Sequence, residues 1–183
     1  MIVKTDRLTL RPWTEADAES LYRHASDPRI GPMAGWEVHT SVEYSREIIR
    51  TVFSQPGNLA VEIQGTDTGA VGAVGLIREN ARNRYMQPNE VEVGYWIGAP
   101  FWGNGYIPEA VEALLSLSFE YLGVDAVWCG YFDGNEKSLR VQEKCGFRYH
   151  HTAKVPVAIL GEERIEHFTR LTRAEWEARA DEE

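Results

Sequence analysis

Arg7-Leu8-Thr9-Leu10-Arg11 alternates polar and apolar residues with period two, which predicts an edge strand with one face buried. Thr14 followed by Glu15, Ala16 and Asp17 has the signature of a helix start, an N-cap with acids in the first turn. Leu21 and Tyr22 give that helix its apolar face, and Asp27-Pro28 ends it ahead of a loop over residues 28–39. Helical spacing returns from about Ser41 to Ser54, with Val42, Ile48, Ile49 and Val52 inward. Two strands, Leu59 to Ile63 and Val71 to Ile77, flank the turn Gly65-Thr66-Asp67-Thr68-Gly69 and predict an antiparallel hairpin. A polar loop from Glu79 to Asn89 leads to a strand over Val91 to Ile97, and a long helix runs from Glu109 to Leu122. Then come a strand from Ala126 to Tyr131 and a short helix from Asn135 to Cys145 with Gly146 as its stop. Strands near Phe147 to Val157 and Arg164 to Leu171 follow, and Thr172 caps a terminal helix. The pattern predicts one mixed α/β domain over 1–183.

Composition narrows the function classes. The chain has 183 residues, 43% hydrophobic and 26% charged, with formal net charge −9. A single domain of this size buries roughly 70% of its unfolded surface. The acidic balance argues against a nucleic-acid partner and suits a cationic acceptor such as an amine. A polyanionic cofactor would therefore be held by local amides and a few basic side chains. No apolar run approaches the ~20 residues of a membrane span, and the first seven residues lack the apolar core of a signal peptide. Cys129 and Cys145 read as reduced core residues. The expectation is a cytoplasmic protein, monomer or homodimer, with no membrane or nucleic-acid partner. The five histidines have no metal-ligand spacing, and alternation turns His150 and His151 to opposite faces, so no metal is expected.

Phe101-Trp102-Gly103-Asn104-Gly105-Tyr106-Ile107-Pro108-Glu109-Ala110 joins the strand at Val91–Ile97 to the long helix. Two glycines let successive amides line one concavity, and the helix aims its positive end at the same place. A P-loop would need Lys and Ser or Thr after the second glycine, where Tyr106 and Ile107 stand. A dinucleotide fingerprint would need a third glycine where Pro108 stands.

Three pieces together resemble the GNAT N-acetyltransferase superfamily, in particular its RimJ/RimL-like branch. They are Glu92-Val93-Gly94-Tyr95-Trp96-Ile97 leading into Phe101–Tyr106, Gly134-Asn135-Glu136-Lys137-Ser138 with Glu143-Lys144-Cys145-Gly146-Phe147, and Thr5-Asp6-Arg7-Leu8-Thr9-Leu10-Arg11-Pro12. The order of elements matches that family over about residues 5–172. The resemblance implies a mixed, mostly antiparallel central sheet with two splayed parallel strands and flanking helices. It implies acetyl-CoA as co-substrate, entering between the strands Val91–Ile97 and Ala126–Tyr131, and an amine acceptor. Backbone groups around Tyr95, Trp96 and Ile97 would bond the pantetheine amides, and the amides of Gly103, Asn104, Gly105, Tyr106 and Ile107 would hold the pyrophosphate. Asn104 stands where that branch often has Lys or Arg; Lys137, Arg140 and Lys144, on one face of the short helix, could compensate or simply be solvated.

Acetyl transfer to an amine requires deprotonation of the ammonium, polarisation of the thioester carbonyl, and a hydrogen bond or proton for the departing sulfur. Glu92, a carboxylate in mid-strand among apolar residues, is the candidate base, acting through a water; a structurally paired glutamate is the alternative. A backbone N–H near Ile97 would bind the oxyanion. Gln142 replaces the tyrosine of many members, so the resemblance passes the acid role to Ser138, with Asn135 orienting the pantetheine and Tyr131 as a second phenol. Asn135 is equally placed to cap its helix. Met33, Trp36, Glu37, Tyr85 and Trp96 are candidates for the acceptor pocket, and the aromatics among them are equally candidates for the core. The resemblance spans acceptors from ribosomal-protein and other peptide N-termini to aminoglycosides, polyamines and amino-acid-like toxins. A member that binds acyl-CoA without catalysis is the alternative function.

Overall fold

The computed structural model describes residues 1–179. The chain is mixed α/β, with a mostly antiparallel sheet, one parallel strand pair and flanking helices, as expected. It divides into two compact units, Met1–Gly75 with Tyr95–Ala110, and Leu76–Gly94 with Val111 onward.

In the first unit, β1 (Val3–Lys4), β2 (Leu8–Arg11), β3 (Asn58–Ile63) and the start of β4 (Ala70–Ile77) form successive antiparallel pairs. The alternation in β2 is realised: Leu8 and Leu10 are fully buried, while Thr9 and Arg11 are half-buried. Its predicted edge position is not, because β1 pairs outside it (Lys4↔Thr9). A two-residue strand carries almost no periodicity, so the pattern had no signal for it. Thr14 begins a short 3₁₀ turn that passes into α1 (Ala18–Ala25), and Asp17 Oδ2 accepts from the Thr14 amide at 2.9 Å. The 28–39 loop contains a further helical turn, α2 (Gly31–Ala34).

α3 (Val42–Ile48) starts at Ser41, whose Oγ accepts from the Tyr44 amide, and continues as a π turn over Ile49–Phe53. The wider turn changes which side chains face inward. Val52, expected inside, is exposed, and Phe53 stacks on Trp13 with centroids 4.7 Å apart. Trp13, Leu21, Ile30, Ile49 and Trp96 form the core of this unit.

The second unit has the order β5-β6-β8-β7, with β5 (Glu90–Ile97) parallel to β6 (Ala126–Phe132), and β8 (Glu162–Thr172) antiparallel to both β6 and β7 (Arg148–Val157). The parallel ladder has three rungs, Glu90↔Ala126, Val91↔Val127 and Glu92↔Trp128. Both strands run on past that point, where Cys129 Sγ donates instead to Val93 O at 3.4 Å. α4 (Tyr106–Ser116) passes from one unit into the other. α5 (Glu136–Lys144) follows β6 and ends at Gly146, whose φ of 84° is the left-handed value that favours glycine. α6 (Arg173–Arg179) is capped by the reciprocal pair Thr172 and Glu175.

Register assigns the faces of the second unit's sheet. Glu90, Glu92, Trp128, Gly130, Phe132, Phe168 and Glu166 share one side; Val91, Val93, Cys129, Tyr131, His167 and Thr169 share the other. Trp128, Phe132, Val155, Val157 and Phe168 form the core on the Glu92 side, where Met86 of the loop before β5 packs against them. A β-bulge in β7 between Tyr149 and His151 overturns the expected divergence of the two histidines. The extra residue turns both rings to one place, with Nδ1 atoms 2.9 Å apart.

No described helix is long and apolar enough to cross a membrane.

Candidate active site

In the first unit, the loop after β5 is built by short-range bonds that set its glycines in the left-handed region, which glycine adopts without strain. Phe101 and Trp102 amides donate back to Gly98 and Ala99 carbonyls, and Asn104 Nδ2 donates to the Phe101 and Trp102 carbonyls at 3.0 and 3.1 Å. Gly103 and Gly105 have φ of 77° and 75°. A Cβ on Gly103 would meet nothing within 4 Å, so the loop is open above it. The first helical backbone bond after the loop runs from the Glu109 amide to Gly105 O, and the amides of the preceding helical residues have no acceptor within the helix. Tyr106 and Ile107 belong to that first turn.

The missing basic residue at Asn104 has a counterpart that the sequence did not reveal. Arg7 Nη1 donates to Asn104 O at 2.8 Å, its guanidinium lies 4.6 Å from the Tyr106 ring centroid, and its Nε bonds Glu109 Oε2 at 2.6 Å. Glu109 also takes the Thr5 hydroxyl and the Arg7 amide, which lowers its pKa against the effect of burial. The Thr5–Arg7 segment is thereby fastened to the loop and the first turn of α4.

Tyr95 is half-buried. Among the backbone groups around Tyr95 to Ile97, the Ile97 carbonyl accepts from Trp102 Nε1 at 3.1 Å. Trp96 is a core residue that stacks on Trp13, and the half-buried Trp36 packs against it with the rings edge to face at 5.6 Å. Met33 and Glu37 are exposed on and after α2.

In the second unit, Glu92 occupies the last rung before β5 and β6 stop pairing, and is 4% exposed. Asn80 Nδ2 donates to its Oε2 at 2.8 Å. Burial raises its pKa, opposed by Asn80, by the Arg82 charge and by Asn83. A proton acceptor with raised pKa is a better base at neutral pH than an ordinary glutamate. The loop before β5, which carries the acceptor-pocket candidate Tyr85, thus also supplies the residues around Glu92. Tyr85, on that loop, is 51% exposed and lies 4.5 Å and 5.4 Å from the rings of His151 and His150.

The other face of the sheet carries the expected acid-side residues. Asn135 Oδ1 accepts from the Ser138 amide at 3.3 Å, so the capping role is real. Gln142 is fully buried, donating to Gly130 O and Ser138 Oγ at 3.1 Å each and accepting from Thr169 Oγ1 at 2.7 Å. Gln142 is thus a structural amide that orients the Ser138 hydroxyl. Tyr131 faces His167 with centroids 4.9 Å apart, and burial together with the charges of Glu143 and Asp133 raises its pKa, making it a weaker proton donor. Lys144 lies at the opposite end of α5 from Asn135, about 13 Å along the axis at the usual rise. There it borders a cavity of about 330 Å³ with Arg148, Glu175 and Arg179. Burial, with Glu112 nearby, pushes the Cys145 thiol up to about 12, so it is a poor nucleophile.

The comparisons with known proteins agree with this architecture. The family model of the acetyltransferase (GNAT) domain matches residues 7–148. The uncharacterized N-acetyltransferase YoaA of Bacillus subtilis is 29% identical over 154 residues, 80% of this chain and 82% of YoaA. A GNAT-family acetyltransferase from Bacillus anthracis superposes with a TM-score of 0.81 at 22% identity, covering 96% of this chain and 100% of that one. The microcin C7 self-immunity acetyltransferase MccE, solved with acetyl-CoA and AMP, has a TM-score of 0.73 at 18% identity, covering 92% and 93%. The two structural matches, at such identities, show the shared fold, while the domain match shows the family. The chain belongs to the GNAT acetyltransferase family and is a GNAT-type acyltransferase.

Proposed function

We propose that this protein is a single-domain N-acetyltransferase of the RimJ/RimL-like branch that moves the acetyl group of acetyl-CoA directly to a primary amine. The observation that carries the reading is Glu92: a buried carboxylate with raised pKa on the last rung before two parallel strands part. In this reading Glu92 takes the ammonium proton, and acetyl-CoA supplies the activated acyl group. The amides of residues 103–107 hold its pyrophosphate, which fits the open space above Gly103 and the positive end of α4 behind it. Ser138, held by Gln142, donates to the departing sulfur, and Asn135 combines its cap with a pantetheine contact. The serine beside Asn135, in place of a phenol at Gln142, supports the branch assignment.

The test is release of free thiol from acetyl-CoA at about pH 8, where part of the amine is neutral. The panel is a short peptide with a free N-terminus, spermidine and an aminoglycoside. Thiol release that requires one of these amines supports the enzyme. Tight acetyl-CoA binding with no release from any of them would turn the reading to a binding module.

The loop has its own expected result. Gly103→Ala meets no steric obstacle but holds an L-residue in the left-handed region, a cost of about 1–2 kcal/mol that turns the loop amides. The KM for acetyl-CoA should rise about tenfold or more, with kcat little changed and the melting temperature lowered by only a few degrees. An unchanged KM would take the pyrophosphate away from this loop.

A further inference from the structure

Glu92 shares its face of the sheet with a second buried carboxylate. Glu166 of β8 is 3% exposed and sits opposite Phe132 of β6 and Ala153 of β7. Its Oε1 lies over Gly130, where a Cβ would approach to 2.6 Å. A side chain at Gly130 would displace the carboxylate, so the glycine makes room for it. Gly130 is two residues past the last parallel rung, so Glu166 lies over the part of β6 that no longer pairs with β5.

Arg82, on the loop before β5, links the two acids. Its Nε lies 3.2 Å from Glu166 Oε2, and its charge also acts on Glu92. The contact lacks hydrogen-bond alignment, and Glu166 Oε2 is buried with no hydrogen-bond partner among the described residues. Asn80 meets Glu92 from the same loop. Phe132, Gly130 and Ala153 bring no charge to Glu166, and Arg164, two residues before it, bonds Glu162 at 2.6 Å. Two carboxylates around one guanidinium leave one uncompensated negative charge in a desolvated place. One added proton removes it.

We propose that Glu92 and Glu166 act as one paired base around Arg82, with Glu166 a positioning residue that shares with Glu92 the proton given up by the acceptor ammonium. The proposal rests on Glu92 being the base. The titration behaviour fits: burial pushes Glu166 up to about 7, with the Glu92 charge adding to the rise and Arg82 opposing it. An ammonium N–H bond breaks and a carboxyl O–H forms on the pair. The amine lone pair then forms the C–N bond as the C–S bond breaks, and the second amine proton leaves with the sulfur as coenzyme A thiol.

The experiment follows glutamate side-chain ¹³C shifts against pH in protein labelled at glutamate, for the unaltered chain and for Glu92→Gln. A paired base predicts that Glu166 titrates about one pH unit lower once the Glu92 charge is gone. An unchanged Glu166 titration overturns the pairing without needing any substrate. The kinetic arm measures kcat/KM against pH for Glu166→Gln, using whichever of the peptide, spermidine or aminoglycoside releases thiol. Expected are a loss of about tenfold and an acid limb moved to lower pH, because Glu92 loses a like-charged neighbour. Glu166→Asp, which keeps the charge, should restore part of the rate. A rate loss with an unmoved limb reduces Glu166 to packing and overturns the proposal. If Glu92→Gln itself keeps the unaltered profile, the base assignment fails instead, which separates the two readings.

Discussion

Glu92→Gln is expected to lower kcat/KM by about 10²–10⁴, the usual contribution of a positioned base. The substitution keeps shape and leaves an oxygen to accept from Asn80, which donates at 2.8 Å, so the local fold should hold. It also removes a charge whose burial raises its own pKa. The sign of the stability effect follows from linkage. A carboxylate with raised folded pKa favours the native state below its ordinary range and disfavours it as pH rises through the folded value. The glutamine variant should therefore be at least as stable as the unaltered protein at alkaline pH. The rate profile moves the other way. With the base present, kcat/KM climbs as Glu92 ionises; without it, the climb follows the amine's own deprotonation towards ~10. Thiol release measured across pH checks both parts. A variant with unaltered rate and unaltered profile would remove Glu92 from the reaction.

Most of the elements were legible in the sequence because period-two and helical patterns survive in isolation. The hairpin at 58–77, the strand–loop–helix around Gly103 and the capped helix at Asn135 have local causes: turn glycines, N-caps and alternating burial. Glu92 stood out as the candidate base for the opposite reason, as a charge that breaks its own strand's apolar run.

What failed to show depends on register or on distant partners. Hydropathy turns Ile165 inward and Glu166 outward, yet Ile165 is 41% exposed and Glu166 is 3% exposed. Pairing of β8 with β6 sets that orientation, and no local pattern encodes it. The bulge that gathers His150 and His151 inserts one residue into a regular-looking strand, and a period-two reading cannot register it. Arg7 read as the polar flank of a strand, and only folding brings it to Asn104 and Glu109, about a hundred residues on in sequence. The π turn after α3 likewise exchanges Val52 for Phe53 without a sequence mark.

Trp128→Ala should destabilise the protein by about 3–5 kcal/mol, the range for deleting a fully buried large aromatic. Trp128 is 0% exposed in the core of the second unit, with the His150 ring edge-on at 4.7 Å and the Arg170 guanidinium at 5.3 Å. Its indole Nε1 also donates to Glu90 Oε2 at 2.6 Å, leaving the buried Glu90 dependent on it and on the Gln87 amide at 2.9 Å. The two contributions separate by substitution. Trp128→Phe keeps most of the ring but removes one of the two hydrogen bonds to Glu90 Oε2, a loss of about 1–3 kcal/mol. Adding Glu90→Gln to Trp128→Phe should recover part of that, because the buried acceptor no longer carries charge. Urea unfolding followed by far-ultraviolet circular dichroism reads these differences without relying on the fluorescence of the tryptophan removed. Equal midpoints for Trp128→Phe and the unaltered chain would show that the indole bond holds nothing. The same measurement bears on the reaction, since Trp128 is the rung partner of Glu92. A core that loosens there should disturb the proposed base before it unfolds the strand, so Trp128→Phe should lower kcat/KM even at temperatures where it remains folded.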